Sequence, residues 1–356
     1  WQFGATAGVV IDQADRLPRD RMPPQALVAV LLVSGPPWDP HSTYDAPLSY
    51  SDPTSGAVWA PQNYDHKYRG VVPMREALAR SLNLATVNLL FRVGIRPIVN
   101  LSHQLGIRSH LAPYPSLALG ANAVTLVEMT SAYSVFAAGG RRVEPIFIRR
   151  VVDRDGKVLV ENLALDRPSD ESPPTWESAK QAPQVLADGV PMGPDQVMSP
   201  SDAFLVADLL RAPIEHPGGT AAKARVLGRP LAGKTGTTDD HGDCWFIGFS
   251  TDIAAGAWLG FDVRRNLGKG ETGGRAALPI WIDFMREAHL DKPVRQFPVP
   301  EGVSYARVDP STGKLADDDT ANSVLQAFPA GHEPAESPGA GGLSEGEERK
   351  LLRMDF

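Results

Sequence analysis

Lys234-Thr235-Gly236-Thr237-Thr238 places a cation, three hydroxyls and a glycine in one short run. Pro230-Leu231-Ala232-Gly233 precedes it, and the β-prone Cys244-Trp245-Phe246-Ile247-Gly248-Phe249 follows after a turn-like Asp239-Asp240-His241-Gly242. These types suit an edge strand that grips a carboxylate. The ammonium supplies charge, the hydroxyls supply donors, and the glycine lets a ligand lie close to the backbone. The stretch Gly228-Arg229-Pro230-Leu231-Ala232-Gly233-Lys234-Thr235 also fits a phosphate loop on paper. A phosphate loop needs a strand before it and a helix that begins at Lys-Thr, whose amides and dipole hold the anion. Here Gly, Thr, Asp and His follow Thr235, all poor helix formers, and Thr220–Leu227 reads as helix rather than strand. The carboxylate-gripping strand is the better reading.

A second chemical element lies about 150 residues upstream, Ser81-Leu82-Asn83, behind the amphipathic Val72–Ala79. Alone, a serine two residues before an asparagine marks a helix cap or a turn. Followed in this order by Lys-Thr-Gly, it supplies two of three elements of a serine acyl-transferase site, the third being Ser-x-x-Lys.

Further stretches fall in the same order. They include Trp59-Ala60-Pro61-Gln62-Asn63-Tyr64-Asp65, Tyr68-Arg69-Gly70, Pro115-Ser116-Leu117-Ala118-Leu119-Gly120 and Val124–Tyr133. Phe136-Ala137-Ala138-Gly139-Gly140, Gly219-Thr220-Ala221-Ala222 and Thr272–Trp281 complete the set. With them, Tyr44–His289 resembles the transpeptidase domain of the class A (bifunctional) penicillin-binding proteins. The resemblance implies penicillin binding and D-Ala-D-Ala transpeptidation, in which a serine attacks the penultimate carbonyl of a peptidoglycan stem peptide. D-alanine leaves, and an amine of a neighbouring strand takes the acyl group. By the family pattern Ser81 passes protons near the leaving nitrogen, Asn83 bonds the substrate amide, and Lys234 sustains positive potential. Thr235 and Thr237 bind the carboxylate, Thr237 N–H is one oxyanion donor, Gly236 leaves room, and Thr238 completes the substrate-binding run. No cofactor or metal is implied. The partners implied are stem peptides and β-lactams, at the periplasmic face of the bacterial inner membrane.

The family nucleophile is expected in a Ser-x-x-Lys about 50 to 60 residues before Ser-x-Asn. Near residues 20–30 the chain reads Asp20-Arg21-Met22-Pro23-Pro24-Gln25-Ala26-Leu27-Val28, without serine or lysine. The sole Ser-x-x-Lys is Ser311-Thr312-Gly313-Lys314, in a turn-like stretch after Lys-Thr-Gly. Shifted by one base, Gln25-Ala26 can read Lys-Pro and Trp38-Asp39-Pro40 can read Gly-Thr-Pro. Residues 1–43 are therefore read as a shifted frame or as a divergent N-terminus. The chain as written is expected to bind without stable acylation. An inactive peptidoglycan- or penicillin-binding remnant and a D,D-carboxypeptidase or β-lactamase-like hydrolase are the alternatives. Class A β-lactamases carry Ser-Asp-Asn and a separate Glu, which this pattern does not follow.

The elements that must position these residues follow from periodicity. Residues 73–107 read as helices, 124–138 as a helix from Thr125 to Gly139-Gly140, and 199–214 as a helix capped by Ser199 or Ser201. Ile146–Val160 reads as a hairpin, 163–195 as a mobile insertion, Cys244–Phe249 and Asp252–Phe261 as paired strands, and Pro279–Ala288 as a closing helix. The fold class is α+β, penicillin-binding protein/β-lactamase-like: an antiparallel sheet flanked by helices with an inserted all-helical lobe. The expected organisation is 1–43 atypical, 44–290 transpeptidase, and 291–356 an extension, disordered from 318. With 42% hydrophobic residues the 356-residue chain can bury a full core, and a net charge of −7 argues against nucleic acid as a main partner. The single cysteine, Cys244, excludes an internal disulfide and reads as core. The eight histidines lack metal-ligand spacing, and His241 reads as solvated. No apolar run reaches bilayer length and no secretory signal is evident, so the chain reads as a C-terminal piece of a longer protein. Asp243 and Trp245 are candidates for the cleft floor, with core packing the stronger reading for Trp245. Arg69 and Arg275 are candidates to meet an anionic substrate.

Overall fold

The computed structural model describes residues 42–52, 55–162, 195–238, 241–263, 265–316, 320 and 323–334. The segment 1–41 and the insertion 163–194 lie outside them, as do most of 317–322 and all of 335–356. In chain order the strands are β1 (Ser42–Asp45), β2 (Tyr50–Ser51), β3 (Val58–Trp59) and β4 (Gly70–Pro73), followed by helices α1 (Met74–Arg80), α2 (Asn83–Val93) and α3 (Ile95–Gln104). Then come α4 (Leu126–Ala137), hairpin strands β5 (Arg150–Val152) and β6 (Val158–Glu161), and α5 (Pro200–Glu215). Strands β7 (Ala232–Thr237), β8 (Asp243–Phe249) and β9 (Ala254–Gly260), helix α6 (Leu278–Ala288), and strands β10 (Val303–Val308) and β11 (Val324–Pro329) complete the set.

The centre is an antiparallel sheet in the order β7-β8-β9. Every residue of β8 is buried, because both faces of the sheet are covered. Alternation sorts the side chains. Trp245, Ile247 and Phe249 join the core built with α4, α5 and the helical lobe. Cys244 and Phe246 face α6, with Leu278, Trp281, Ile282 and Met285. Phe246 and Trp281 pack edge to face at 4.7 Å, and Trp281 Nε1 donates to Ala255 O at 3.0 Å. Each such aromatic pair contributes about 1 kcal/mol beyond its area. Cys244 is core, and burial pushes its thiol up to about 11.

Two helix starts follow from their caps. Thr125 and Glu128 form a reciprocal capping box at α4. At α5 the cap is Ser199, whose Oγ accepts from Asp202 N at 3.0 Å. The expected helical stretch 73–107 is three helices, and the first break falls at Ser81. The C-terminal region differs from expectation. Within the stretch expected to be disordered, Val324–Pro329 is a strand paired with β10. Phe297, Val308, Ala327 and Phe328 are buried, so folded structure continues past residue 290. The buried Asp208 of α5 ties this hairpin down, accepting from Ala327 N at 3.3 Å and from Arg75 at 2.7 Å.

Candidate active site

Ser81 occupies a conformation that serine rarely adopts, φ 57 and ψ 52. The left-handed residue ends α1 as a Schellman closure: Leu82 N–H reaches Ala77 O at 2.9 Å and Ser81 N–H reaches Leu78 O at 3.3 Å. Glycine is the usual occupant of that position. The bend turns the chain and starts α2 two residues later, at Asn83. No side chain of the neighbouring turn caps α2. Instead Asn63 reaches across from the loop, its Oδ1 accepting Leu84 N–H at 3.2 Å. Asn63 Nδ2 donates to Asp45 Oδ1 at 2.5 Å and to Lys67 O at 2.7 Å. The adjoining Gln62 carbonyl accepts from Asn83 Nδ2 at 2.9 Å. Loop 62–63 therefore fixes both the start of α2 and the orientation of Asn83.

Lys234 projects from β7 onto this corner. It pairs with Ile247 in the register, on the sheet face that carries the helical lobe. Its Nζ donates to Ser81 Oγ at 2.8 Å and to Thr235 O at 2.9 Å. The side chain is 2% exposed. No carboxylate lies within ion-pair distance among the described residues. Removal from water without an anionic partner disfavours the ammonium, and burial lowers Lys234 to about 7. Lys234 and Ser81 thus form a hydrogen-bonded pair whose proton is exchangeable near neutrality.

Thr235, buried, and Thr237 alternate to the other face of β7, an edge strand of this sheet among the described residues. Thr235 Oγ1 donates to Thr220 Oγ1 at 2.8 Å. Thr237, exposed at the strand end, accepts Gly273 N–H at 3.0 Å. Gly273 opens an unexpected π-helical turn, Gly273–Ala277, before α6. Such turns are rare and concentrate at functional sites. A Cβ on Gly273 would strike Trp245 O and Gly236 O, so the turn crosses the sheet directly over Gly236. The Thr238 hydroxyl accepts Gly242 N–H and Asp243 N–H, each at 3.0 Å, and so closes the β7–β8 turn. Its contacts are those of a turn support rather than of a substrate ligand.

Several expected roles change. Arg69 is engaged by Asp45 and Asp65 and is no free anion receptor. Arg275 is exposed on the π-helical turn. His241 is half-buried rather than solvated: its Nδ1 bonds Glu271 O at 2.7 Å, and its ring meets Tyr64 edge-on at 6.4 Å. Trp245 is 3% exposed and belongs to the core. Asp243, 5% exposed, accepts from Trp258 Nε1 at 3.0 Å. Lys234 lies inside a strand, so the helix a phosphate loop requires is absent. Ser311 sits on the turn beyond β10, where its Oγ donates to Asp309 at 2.7 Å. Sequence reasoning missed the parts played by Asn63, Thr220 and Gly273, although each lay inside a family-like stretch.

The chain is similar to known proteins over most of its length. The description "Penicillin binding protein transpeptidase domain" matches residues 37–280. Penicillin-binding protein 1A of Aquifex aeolicus is 41% identical over 294 residues, covering 82% of this chain and 36% of its own. Penicillin-binding protein 1A of Pseudomonas aeruginosa is 36% identical over 308 residues, with 80% and 37% covered. The chain thus spans little more than a third of these relatives' length. Among solved structures, penicillin-binding protein 1A from Haemophilus influenzae aligns with a TM-score of 0.74 and 27% identity, over 91% of this chain and 50% of that one. These similarities bear out the α+β fold expected from the sequence. The chain belongs to the penicillin binding protein transpeptidase domain family.

Proposed function

We propose that this chain is the transpeptidase domain of a peptidoglycan-building protein, acting outside the cytoplasmic membrane on stem peptides that end in D-Ala-D-Ala and open to β-lactams. The observation that carries this reading is the Lys234 Nζ–Ser81 Oγ bond of 2.8 Å, formed between residues 153 apart in sequence. A lysine that titrates at about 7 beside a serine can hold or release a proton at the operating pH, as proton transfer to a leaving nitrogen needs. Asn83 lies beside it to bond the substrate amide. Thr235 and Thr237 lie on one face of the edge strand β7, the first buried and the second exposed, to meet the carboxylate. Relatives named as penicillin-binding proteins over most of this chain support the same assignment.

The nucleophile is a separate matter. The single Ser-x-x-Lys of the sequence sits on the turn after β10, its serine bonded to Asp309. The chain as written therefore holds the binding and proton-transfer half of the site and forms no stable acyl-enzyme. Incubation with a fluorescent penicillin tests both statements. The expected result is reversible binding seen by fluorescence anisotropy, with no label left after denaturation. A covalent label would refute the non-acylating reading, and its position would identify the nucleophile. No binding of penicillin or stem peptide would refute the functional assignment.

A further inference from the structure

Thr220 touches all three elements that carry the site. Its N–H donates to Ala79 O at 3.1 Å, in the last turn of α1, two residues before Ser81. Its hydroxyl meets Thr235 on β7 at 2.8 Å. Its carbonyl lies so near Gly274 that a Cβ there would collide with it. Gly274 in turn follows Gly273, which donates to Thr237. The segment around Thr220 is itself held from behind. Ala221 N–H reaches Pro213 O at 2.8 Å, and Gly219 packs against the same carbonyl more tightly than any side chain allows. This is a fixed hub with one functional group aimed at the strand.

Hydroxyl accounting gives that group a task. A threonine hydroxyl has one proton and two lone pairs. With Thr235 donating to Thr220, the Thr235 proton is committed and only lone pairs remain to face an incoming anion. Lone pairs repel a carboxylate. The pair can also run in the opposite sense, with Thr220 as donor, and Thr235 then has a proton to give. We propose that Thr220 is a positioning residue for carboxylate recognition: a substrate carboxylate reverses the Thr220–Thr235 pair, so that Thr220 donates to Thr235 and Thr235 donates to the carboxylate. No bond to a heavy atom is made or broken; two hydroxyl rotors turn. Two aligned hydroxyls polarise one another, so the donor presented to the anion is stronger than an isolated threonine. This rests on the reading of Thr235 as a carboxylate ligand given under the proposed function, and it adds the residue that permits that role.

The test uses the full chain and two probes, diacetyl-L-Lys-D-Ala-D-Ala and its C-terminal amide, with dissociation constants from NMR titration. The readout is the acid-to-amide preference in wild type, Thr220→Val and Thr220→Ser. Valine keeps the volume of threonine against Ala79 and Gly274, and thermal midpoints check that both variants fold. The expected result is a loss of about tenfold in acid preference in Thr220→Val, the size of one lost charge-assisted hydrogen bond. Thr220→Ser, which restores the hydroxyl, should recover it. A purely structural role would weaken both probes alike and leave the ratio unchanged. An unchanged ratio in Thr220→Val, or an equal loss in Thr220→Ser, overturns the relay while leaving the carboxylate reading intact. A wild type with no preference for the acid overturns that reading and the relay with it.

Discussion

Replacing Lys234 by Met separates what this lysine does for the site from what it costs the fold. Methionine keeps the unbranched length and removes the charge. Burial brings the lysine down from an ordinary 10.5 to about 7. At about 1.4 kcal/mol for each tenfold change, the buried ammonium costs the folded state about 5 kcal/mol at acid pH. Two hydrogen bonds offset part of this, to Ser81 Oγ and to Thr235 O, each contributing about 1.5 kcal/mol when the donor is charged. The variant is therefore expected to be as stable as wild type at pH 7, or more stable by about 2 kcal/mol, as when a buried ion gives way to an apolar group. The pH dependence is the sharper test. Between pH 7 and 10.5 the unfolded chain holds a proton at residue 234 that the folded chain has shed, so wild-type stability rises with pH in that window. Relative to Lys234→Met, wild type should gain about 2 kcal/mol between pH 7 and pH 9. Paired guanidinium unfolding curves at those two pH values measure the gap, and all other titrations cancel in the difference. A gap constant to within about 0.5 kcal/mol would refute a neutralised lysine, as would a variant less stable than wild type at both pH values.

Asn63 gives a second test. Its removal in Asn63→Ala takes one partner from the buried Asp45, which keeps Arg69, and leaves the Leu84 amide unbonded, a loss of about 1–3 kcal/mol in denaturant unfolding; a loss under about 0.5 kcal/mol would show that the loop does not cap α2. Away from the site, His289 is buried, with Nδ1–H donating to Met285 O at 2.7 Å and Nε2 accepting from Ser250 at 2.8 Å. Burial holds this imidazole below its usual range, against a partly opposing bond to Met285 O, so the folded state resists its protonation. The stability it contributes is complete above pH 6.5 and is lost as pH falls below that value toward the lowered folded pKa. The stability advantage of wild type over His289→Gln should shrink from pH 7 to pH 5 in urea titrations, and a constant advantage would contradict a neutral latch.

The parts of the fold legible in the sequence are those whose signals are local. Thr125 and Glu128, three residues apart, announce the capping box that starts α4. The unbroken apolar run Cys244–Phe249 announces a strand buried on both faces. The meeting of Lys234 with Ser81 was legible because their types and order are specific together. Contacts set by distant elements were not. The apolar period of 73–107 runs through Leu82, and nothing local says that α1 stops at Ser81. Arg69 looked available to an anion, yet Asp65 lies four residues before it, and β1 brings Asp45 to its other side. Composition argued for disorder beyond residue 318, but β11 pairs with β10 and is held by Asp208 of α5, more than a hundred residues away in sequence. Thr220 needed the approach of Thr235 and Gly274 before its hydroxyl meant anything.

Ser81 shows most clearly that local rules yield at this site. The left-handed conformation costs a non-glycine residue about 1 kcal/mol or more. The Schellman closure of α1 asks only for backbone, and glycine would provide it without strain. The chain nevertheless places there a side chain with a hydroxyl, and Lys234 bonds that hydroxyl. The lysine is also held at a cost, buried without a carboxylate partner among the described residues. Two unfavourable choices that meet at a 2.8 Å contact have no explanation in stability. Each alone would be relieved by a simple substitution, glycine at 81 or methionine at 234. On the proposed function the coincidence has a single account: a proton shared between those two groups at the junction of α1 and β7 makes both choices useful at once.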